Sequence, residues 1–437
     1  MRPASVLVLA LLAGSASFAQ ETRSRTLDLA TALQLAGASS VEVEIARSRL
    51  DAARAASSLT TAQFLPWLSA GVTLRGHGGL IQDVVGNVVT ADKSSYTVGA
   101  ALNLQVELGD VWYRAKAAKQ TTRAAAEGVS TERQEAQGRA AQGYFDLLAA
   151  QGLVAAADES VRVAREYETQ LQRAVEAGLA LRGDLLRARV QRLRNELTRG
   201  QADEQRRLAA VRLAESLRVD PKTALVAEDR ELVPLALVEN VNDLDALIQE
   251  AASARPELRE LRAALEAAEF TQKAASTGPL FPTFGGQLFL GGLGGSRDDL
   301  AGRFGGSRDY VATLSWRLGP GGIFDSARKR LAEARLSEVR WNGERLKDRV
   351  ARQVAEASAR VITQGDQLRI ATEALTAATE GLALARARRE FEVGIVLENI
   401  LAEQDQTRAR QEYVRTLGEY DKAQYALARA LGRLGRD

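Results

Sequence analysis

No cysteine occurs anywhere in this chain. That removes a disulfide framework, a thiol nucleophile, a Cys-based metal cluster and the lipid-bearing Cys that follows a lipoprotein signal. Histidine is almost as scarce: His77, in a loop-side "GHGG" stretch, is the single copy, and it suggests no Ser-His-Asp set. An enzyme would have to rely on a carboxylate pair in a pocket, and the acids are instead spread along helix faces, so neither catalysis nor a cofactor is expected. A dominant sign of charge is missing too, since 58 basic residues stand against 56 acidic ones. This balance excludes the basic footprint of a nucleic-acid binder. Beyond the first twenty residues no stretch approaches the roughly 18 uncharged apolar residues of a membrane-spanning helix. Proline is confined to positions 3, 66, 221, 234, 256, 279, 282 and 320, which leaves 67–220 and 321–437 free of helix breakers.

What is present begins with Arg2, the apolar run Val6 to Ala13 and the small-residue end Ser17, Phe18, Ala19. These predict a secretory signal peptide over residues 1–19, cleaved before Gln20. Ala, Leu, Arg and Glu dominate the remainder and aromatic residues are only 5% of it, a composition suited to long, closely packed helices.

The chain repeats itself. "AQFLPWLSAGVTLRG" around Pro66 returns as "GPLFPTFGGQLFLGG" around Pro282, 216 residues later. "VEAGLALRGDLLRARVQ" around Gly178 returns as "FEVGIVLENILAEQDQ" around Gly394 at the same offset. Both copies read helix, Pro, strand, loop, strand, Gly, very long helix, Gly turn, helix. A tandem duplication is predicted, with a first repeat over 20–220, a joint over 221–242 and a second repeat over 243–437.

Four runs alternate apolar and polar residues with period two, at about 67–76, 95–106, 283–292 and 309–318. Leu68, Ala70, Val72 and Leu74 oppose Ser69, Thr73 and Arg75; Tyr96, Val98, Leu102 and Leu104 oppose Thr97, Asn103 and Gln105. The third run sets Phe284, Leu288 and Leu290 against Thr283 and Gln287, with Phe289 breaking the pattern, and the fourth sets Tyr310, Ala312, Leu314 and Trp316 against Thr313, Ser315 and Arg317. Such a sheet can rest on a helical layer in a soluble protein. Against that, the runs have the length of membrane-spanning strands, and aromatics gather at their ends: Phe64 and Trp67, Tyr96, Phe281 and Phe284, Tyr310 and Trp316. In lipid the sheet must close, four strands cannot close alone, and two, three or four copies would supply the remainder. The stretch from Leu108 to Ala177 would measure on the order of 100 Å as one helix, far more than a bilayer. The loops Gly76 to Ser94 and Gly292 to Arg308 would then face outside the cell.

"LGPGGIFDSARKRLAEA" lacks the Lys-Ser/Thr pair of a phosphate-binding loop and follows a half-polar strand. Gly319 to Gly322 reads instead as a strand-to-helix elbow with Asp325 near the helix start, and "LGDVWYRAKAAK" from Leu108 is its counterpart in the first repeat.

In this duplicated order "FLPWLSAGVTL", "ARPELRELRAALEAAEF", "LSWRLGPGGIFDSARKRLAEA" and "VGIVLENILAEQDQTRARQEYVRTLGEYDKAQYALARALG" resemble the TolC-like outer-membrane factors of tripartite efflux pumps and type I secretion systems, over nearly the whole mature chain. The resemblance implies a mainly α fold with a membrane β component. Each chain of a homotrimer would give four strands to a 12-stranded outer-membrane β-barrel and its helices to a long periplasmic tunnel in a Gram-negative cell. It implies a passive exit duct whose partners are a periplasmic adaptor (membrane fusion) protein and an inner-membrane transporter. The turns Ala177, Gly178, Leu179 and Val393, Gly394, Ile395 match the tip that meets the adaptor. Acids beyond these turns, Asp184 in the first repeat and Glu398 and Glu403 beside Asn399 in the second, match a periplasmic gate; Asn399 stands where an aspartate is common. Trp67, Tyr96, Phe281, Tyr310 and Trp316 would lie at the membrane interfaces. A soluble periplasmic coiled-coil adaptor or scaffold is the alternative, although an adaptor would carry small β-domains around a single helical hairpin.

Overall fold

The computed structural model describes residues 24–229, 232–296, 303–390 and 396–435. In chain order the elements are β1 (Ser24–Leu27), α1 (Leu29–Ser39), α2 (Val41–Ala62), β2 (Trp67–Gln82), β3 (Val88–Glu107), α3 (Leu108–Glu176), α4 (Arg182–Leu217), β4 (Ala224–Ala227), α5 (Leu244–Ala254), α6 (Pro256–Ser276), β5 (Thr283–Ser296), β6 (Phe304–Ser315), α7 (Ser326–Glu390) and α8 (Val396–Ala430). The proline map explains the helix lengths: α3 and α7 run 69 and 65 residues through the proline-free stretches. Pro256 occupies the first turn of α6, where its missing N–H costs nothing.

Contacts divide the chain into two compact units. One comprises the described residues of Met1–Ala32, Gly143–Leu232 and Leu375–Gly418, the other those of Leu33–Gln142, Val233–Ala374 and Glu419–Asp437. In the first, β1 and β4 form a two-stranded parallel sheet, Ser24 opposite Ala224 through Leu27 opposite Ala227. Strands this short leave little periodic trace, and β4 lies inside the joint expected over 221–242. Gln151 fastens β4: its Oε1 accepts the Ala227 N–H at 2.7 Å and its Nε2 donates to the Ala227 carbonyl at 3.3 Å. Beside it the Tyr144 hydroxyl donates to Asp229 at 2.6 Å. Burial, with the Asp229 hydrogen bond second, pushes the Tyr144 phenol well above its ordinary range.

The second unit holds the main core. Leu247, Leu258, Val350, Val354, Val361, Leu427 and Leu431 pack together from α5, α6, α7, α8 and the turn after α8. The segment between the repeats lies against this core, and buried side chains of α8 satisfy its backbone. Asp421 Oδ1 accepts the Leu235 N–H at 2.9 Å, and Gln424 Oε1 accepts that of Leu237 at 3.2 Å. Among the described residues no cation faces Asp421 across a salt bridge, and burial raises its pKa to about 6.

The same unit contains an antiparallel sheet in the order β2-β3-β5-β6, whose outer strands β2 and β6 have no partner on their free edges among the described residues. Its first hairpin is longer than the sequence indicated. The strands expected at about 67–76 and 95–106 continue to Gln82 and begin at Val88, so most of the expected Gly76–Ser94 loop is strand. Leu80 pairs there with Thr90, Ile81 with Val89 and Gln82 with Val88, and the reversal is delayed to Asp83–Asn87. At that turn Asp83 Oδ1 accepts the N–H groups of Val85 (3.0 Å) and Asn87 (2.8 Å). In the second hairpin the strands run 283–296 and 304–315 instead of 283–292 and 309–318. β6 stops early because the Arg317 carbonyl accepts the Ile323 N–H at 3.0 Å, closing the glycine turn.

Candidate functional site

Register turns the alternation into rows. Leu68 faces Leu102, Leu102 faces Leu288 and Leu288 faces Tyr310, an apolar row across all four strands. No layer covers it: Leu68, Leu74 and Tyr310 are 71%, 69% and 85% exposed. On the other face polar side chains link across strands. Asn103 Nδ2 donates to Ser69 Oγ at 2.9 Å, and Gln287 Nε2 donates to Asn103 Oδ1 at 2.9 Å. The sheet therefore has one apolar face and one hydrogen-bonded polar face, and neither rests on a core.

Phe289, which broke the alternation, has a structural role on the polar face. Gly99 of β3 and Gly291 of β5 are directly opposed, and the Phe289 ring lies over both. A Cβ on either glycine would collide with the ring and with the neighbouring backbone. On the apolar face Tyr96 stacks on Phe304, centroids 5.8 Å apart and planes 8° off parallel, above Gly292 and Gly294. Phe304 went unnoticed in the sequence because it precedes the fourth alternating run. Of the other aromatics expected at the membrane interfaces, Trp67 begins β2 opposite Asn103 of the polar face, Phe281 precedes β5 and Trp316 follows β6. Trp316 Nε1 donates to the Leu280 carbonyl at 3.2 Å. Tyr310 lies within β6 and Tyr96 within β3. His77 pairs with Lys93 inside the first hairpin, and no cluster of metal-ligating side chains occurs among the described residues.

The first of the turns expected at the tip is a complete Schellman motif: Leu179 N–H reaches the Ala174 carbonyl (2.8 Å) and Gly178 N–H that of Val175 (3.0 Å). Gly178 sits at φ +76° with open space where a Cβ would go, so backbone conformation alone selects glycine. Ala177 precedes it, and Leu179 projects 84% exposed. Val393, Gly394 and Ile395 lie outside the described residues.

Each carboxylate expected at the gate has an arginine partner. Asp184 pairs with Arg187 at 2.9 Å, Glu398 with Arg388 at 2.8 Å, and Glu403 with Arg386 at 3.8 Å. Asn399 is buried, with Nδ2 3.5 Å from Glu403 Oε1 and its own Oδ1 without a hydrogen-bond partner. Arg187 stands three residues beyond Asp184 on the same helix, but Arg386 and Arg388 lie on the helix preceding Glu398 and Glu403, and ion pairing of that kind leaves no spacing signal. Tyr167, Leu171, Ala188 and Ile400 pack where α3, α4 and α8 meet near these groups, and Gln404 Nε2 donates to Gln191 Oε1 at 2.6 Å.

A sheet with two open faces and two open edges, continued by very long helices, is the protomer of a membrane channel rather than a self-contained globule. The description "Outer membrane efflux protein" fits residues 32–217 and 247–433, and the chain belongs to that family. Its place is the outer membrane, with the helical part in the periplasm. Protein CyaE of Bordetella pertussis is 28% identical over 298 residues, which is 67% of this chain and 61% of that protein's length. Among solved structures, a membrane protein from Pseudomonas aeruginosa superposes with a TM-score of 0.76 at 22% identity, covering 92% of this chain and 93% of the other. The CmeC outer membrane channel of Campylobacter jejuni gives 0.74 at 15% identity, with 100% and 96% covered. For the open-state MtrE outer membrane channel of Neisseria gonorrhoeae the score is 0.72 at 19% identity, with 92% and 88% covered. At these identities the likeness is one of fold.

Proposed function

We propose that this protein is the outer-membrane exit duct of a tripartite efflux pump or type I secretion system, a passive conduit without catalytic chemistry. The observation that carries this reading is the four-stranded sheet whose apolar face and both edges are open. Hydrocarbon does not tolerate open edges, so the sheet closes with sister copies. Three copies of four strands make a twelve-stranded barrel, wide enough for an aqueous lumen. The ladder of Ser69, Asn103 and Gln287 then lines the lumen, and the row of Leu68, Leu102, Leu288 and Tyr310 meets lipid.

The partners are a periplasmic adaptor protein and, through it, an inner-membrane transporter. Leu179, held out by the Gly178 turn, is the adaptor's apolar foothold in the first repeat, with Val393, Gly394 and Ile395 its counterpart in the second. Asp184, Glu398 and Glu403 form the periplasmic constriction, and their arginine partners hold it shut by tying carboxylates across neighbouring turns and helices. The decisive experiment is planar-bilayer conductance of the purified, heat-modifiable oligomer together with cell fractionation. Cation-selective channels from outer-membrane fractions are expected. A soluble periplasmic monomer without channel activity would overturn the duct and favour a coiled-coil scaffold.

A further inference from the structure

Below the sheet, one face of α3 changes character in steps of about one turn as it leaves β3. Leu108 and Trp112 are exposed apolar residues, followed by exposed Lys116 and Lys119. The neighbouring α6 adds Phe270 and exposed Lys273. Lys116 Nζ lies 5.0 Å above the Trp112 ring and 5.6 Å from the Phe270 ring, while Lys273 Nζ lies 5.4 Å from Phe270. Among the described residues none of the three lysines has a carboxylate within salt-bridge distance, whereas nearby arginines of the same helices do: Arg114 pairs with Asp110 and Arg259 with Glu127. Glu269, the acid nearest in sequence to Phe270, faces Arg340 instead.

This face points away from the lumen of the proposed barrel. Asp110 and Arg114 line one cavity with Gln105 and Glu107, residues of the polar face of β3. Trp112 and Lys116 each follow by two positions, about 200° around the helix, and so lie on the opposite, outer side. The site is also clear of the junctions between copies, because α3 and α6 are joined to β3 and β5, the two inner strands of the sheet. Trp112 is five residues beyond Glu107 and Lys116 nine, about 7 and 13 Å along the helix. A headgroup layer is roughly 5–8 Å deep on each side of the hydrocarbon. Side chains on α3 lean toward its N-terminus, which is the sheet end, so Lys116 reaches back over Trp112 toward the membrane.

We propose that this α3–α6 face binds the phosphate headgroup of an anionic phospholipid in the periplasmic leaflet. Lys116 is the principal phosphate partner, with Lys119 and Lys273 at its flanks and Leu108 and Trp112 against the glycerol and first methylenes. In a chain without a cysteine to acylate, the cluster fixes the depth of the barrel. The inference rests on the outer-membrane reading above.

The test uses the full-length oligomer purified in detergent, with native mass spectrometry counting retained phosphatidylglycerol against phosphatidylcholine, and vesicle flotation of the same samples. Wild type is expected to float and to prefer phosphatidylglycerol. K116Q/K119Q/K273Q should still float but lose the preference, by about fivefold for each lysine removed, and K116R/K119R/K273R should keep it. An unchanged preference in the glutamine variant, or loss of preference in the arginine variant, overturns the site and leaves the membrane reading intact. If wild type itself fails to float, the membrane reading falls and takes the site with it.

Discussion

The two strand-to-helix elbows come from duplicated sequence, yet they are built differently. In the first, β3 ends at Glu107 and α3 starts at Leu108 with no residue between. Gly109 is pressed against the backbone of Gly278 and the Phe281 ring, and Asp110 is buried under Arg114 and Arg328. In the second, ten residues separate Ser315 from Ser326. Gly321, at φ +75°, turns the chain with only the Arg317 side chain, 3.4 Å away, near the place of a Cβ, while the next residue, Gly322, is pressed against the Arg317 carbonyl. Asp325 binds backbone rather than arginine: its Oδ2 accepts the Gly321 N–H at 2.8 Å and its Oδ1 that of Arg328 at 2.9 Å. Arg328, from the second elbow, closes the first by pairing with Asp110. A direct junction is held by packing and charge, whereas a looped one is held by local turn chemistry. The first elbow is therefore the brittle one.

The largest effect is expected where the brittle elbow has no room. Gly109→Val drives a side chain into the Gly278 carbonyl, and the cost should exceed about 3 kcal/mol, the upper end for overpacking. Loss of the heat-modifiable oligomer from outer-membrane fractions is the readout, and normal levels of variant oligomer would break the comparison. Next comes a carboxylate outside both elbows. Asp421 is buried like Asp110 but faces no arginine. Its folded pKa of about 6 lies above the ordinary 3.8. The folded state thus favours the protonated form, and stability falls as pH rises from about 4 to 6 and stays lower above that. Asp421→Asn should remove this slope and raise stability at pH 7 by up to about 3 kcal/mol, with the gain vanishing near pH 4. Denaturant midpoints at pH 4 and 7 decide it; a loss at pH 7 would show that the ionised carboxylate carries no burial penalty there.

Asp110→Ala should then destabilise by about 2 kcal/mol, because two arginines lose their shared acceptor. A double-mutant cycle with Arg328→Ala should recover part of that loss, and strict additivity would mean that the pair is decorative. Gly321→Ala, in the tolerant elbow, should cost only about 1 kcal/mol, the strain of placing a Cβ in the left-handed region. A thermal shift as large as that of Gly109→Val would erase the distinction between the elbows.

Much of this was legible in the chain, and the gaps have physical causes. Period-two alternation located all four long strands because each has one apolar and one polar face, and proline placement marked the ends of the helical runs. The first hairpin was underextended because His77, the glycines around it and Asp92 to Ser95 look like loop, although Leu80 to Val89 continue the ladder. Phe289 looked like an error in the pattern until Gly99 and Gly291, 192 positions apart in the chain, proved to need a cover. Arginine partners of Glu398 and Glu403, and the grip of Asp421 and Gln424 on the inter-repeat segment, depend on tertiary proximity that no spacing encodes, whereas Arg187 stands three residues beyond Asp184 on the same helix.

The smallest effect separates the elbows most sharply, because it should be confined to one turn. Hydrogen bonds from the Arg328 and Gly321 N–H groups hold the Asp325 carboxyl below the ordinary 3.8, with the Arg328 charge adding to them. A depressed folded pKa contributes stability that is present above the unfolded value and lost as pH falls through the folded one, so the cap weakens only below about pH 4, the reverse of Asp421. Asp325→Ala at pH 7 should speed amide hydrogen exchange over residues 326–330 while the first turn of α3 exchanges as before. Asp325→Ser, which keeps an acceptor at the same place, should restore most of the protection. Faster exchange at Leu108 to Val111 in the alanine variant would mean that the elbows are mechanically coupled through Arg328 and that the second is no more local than the first.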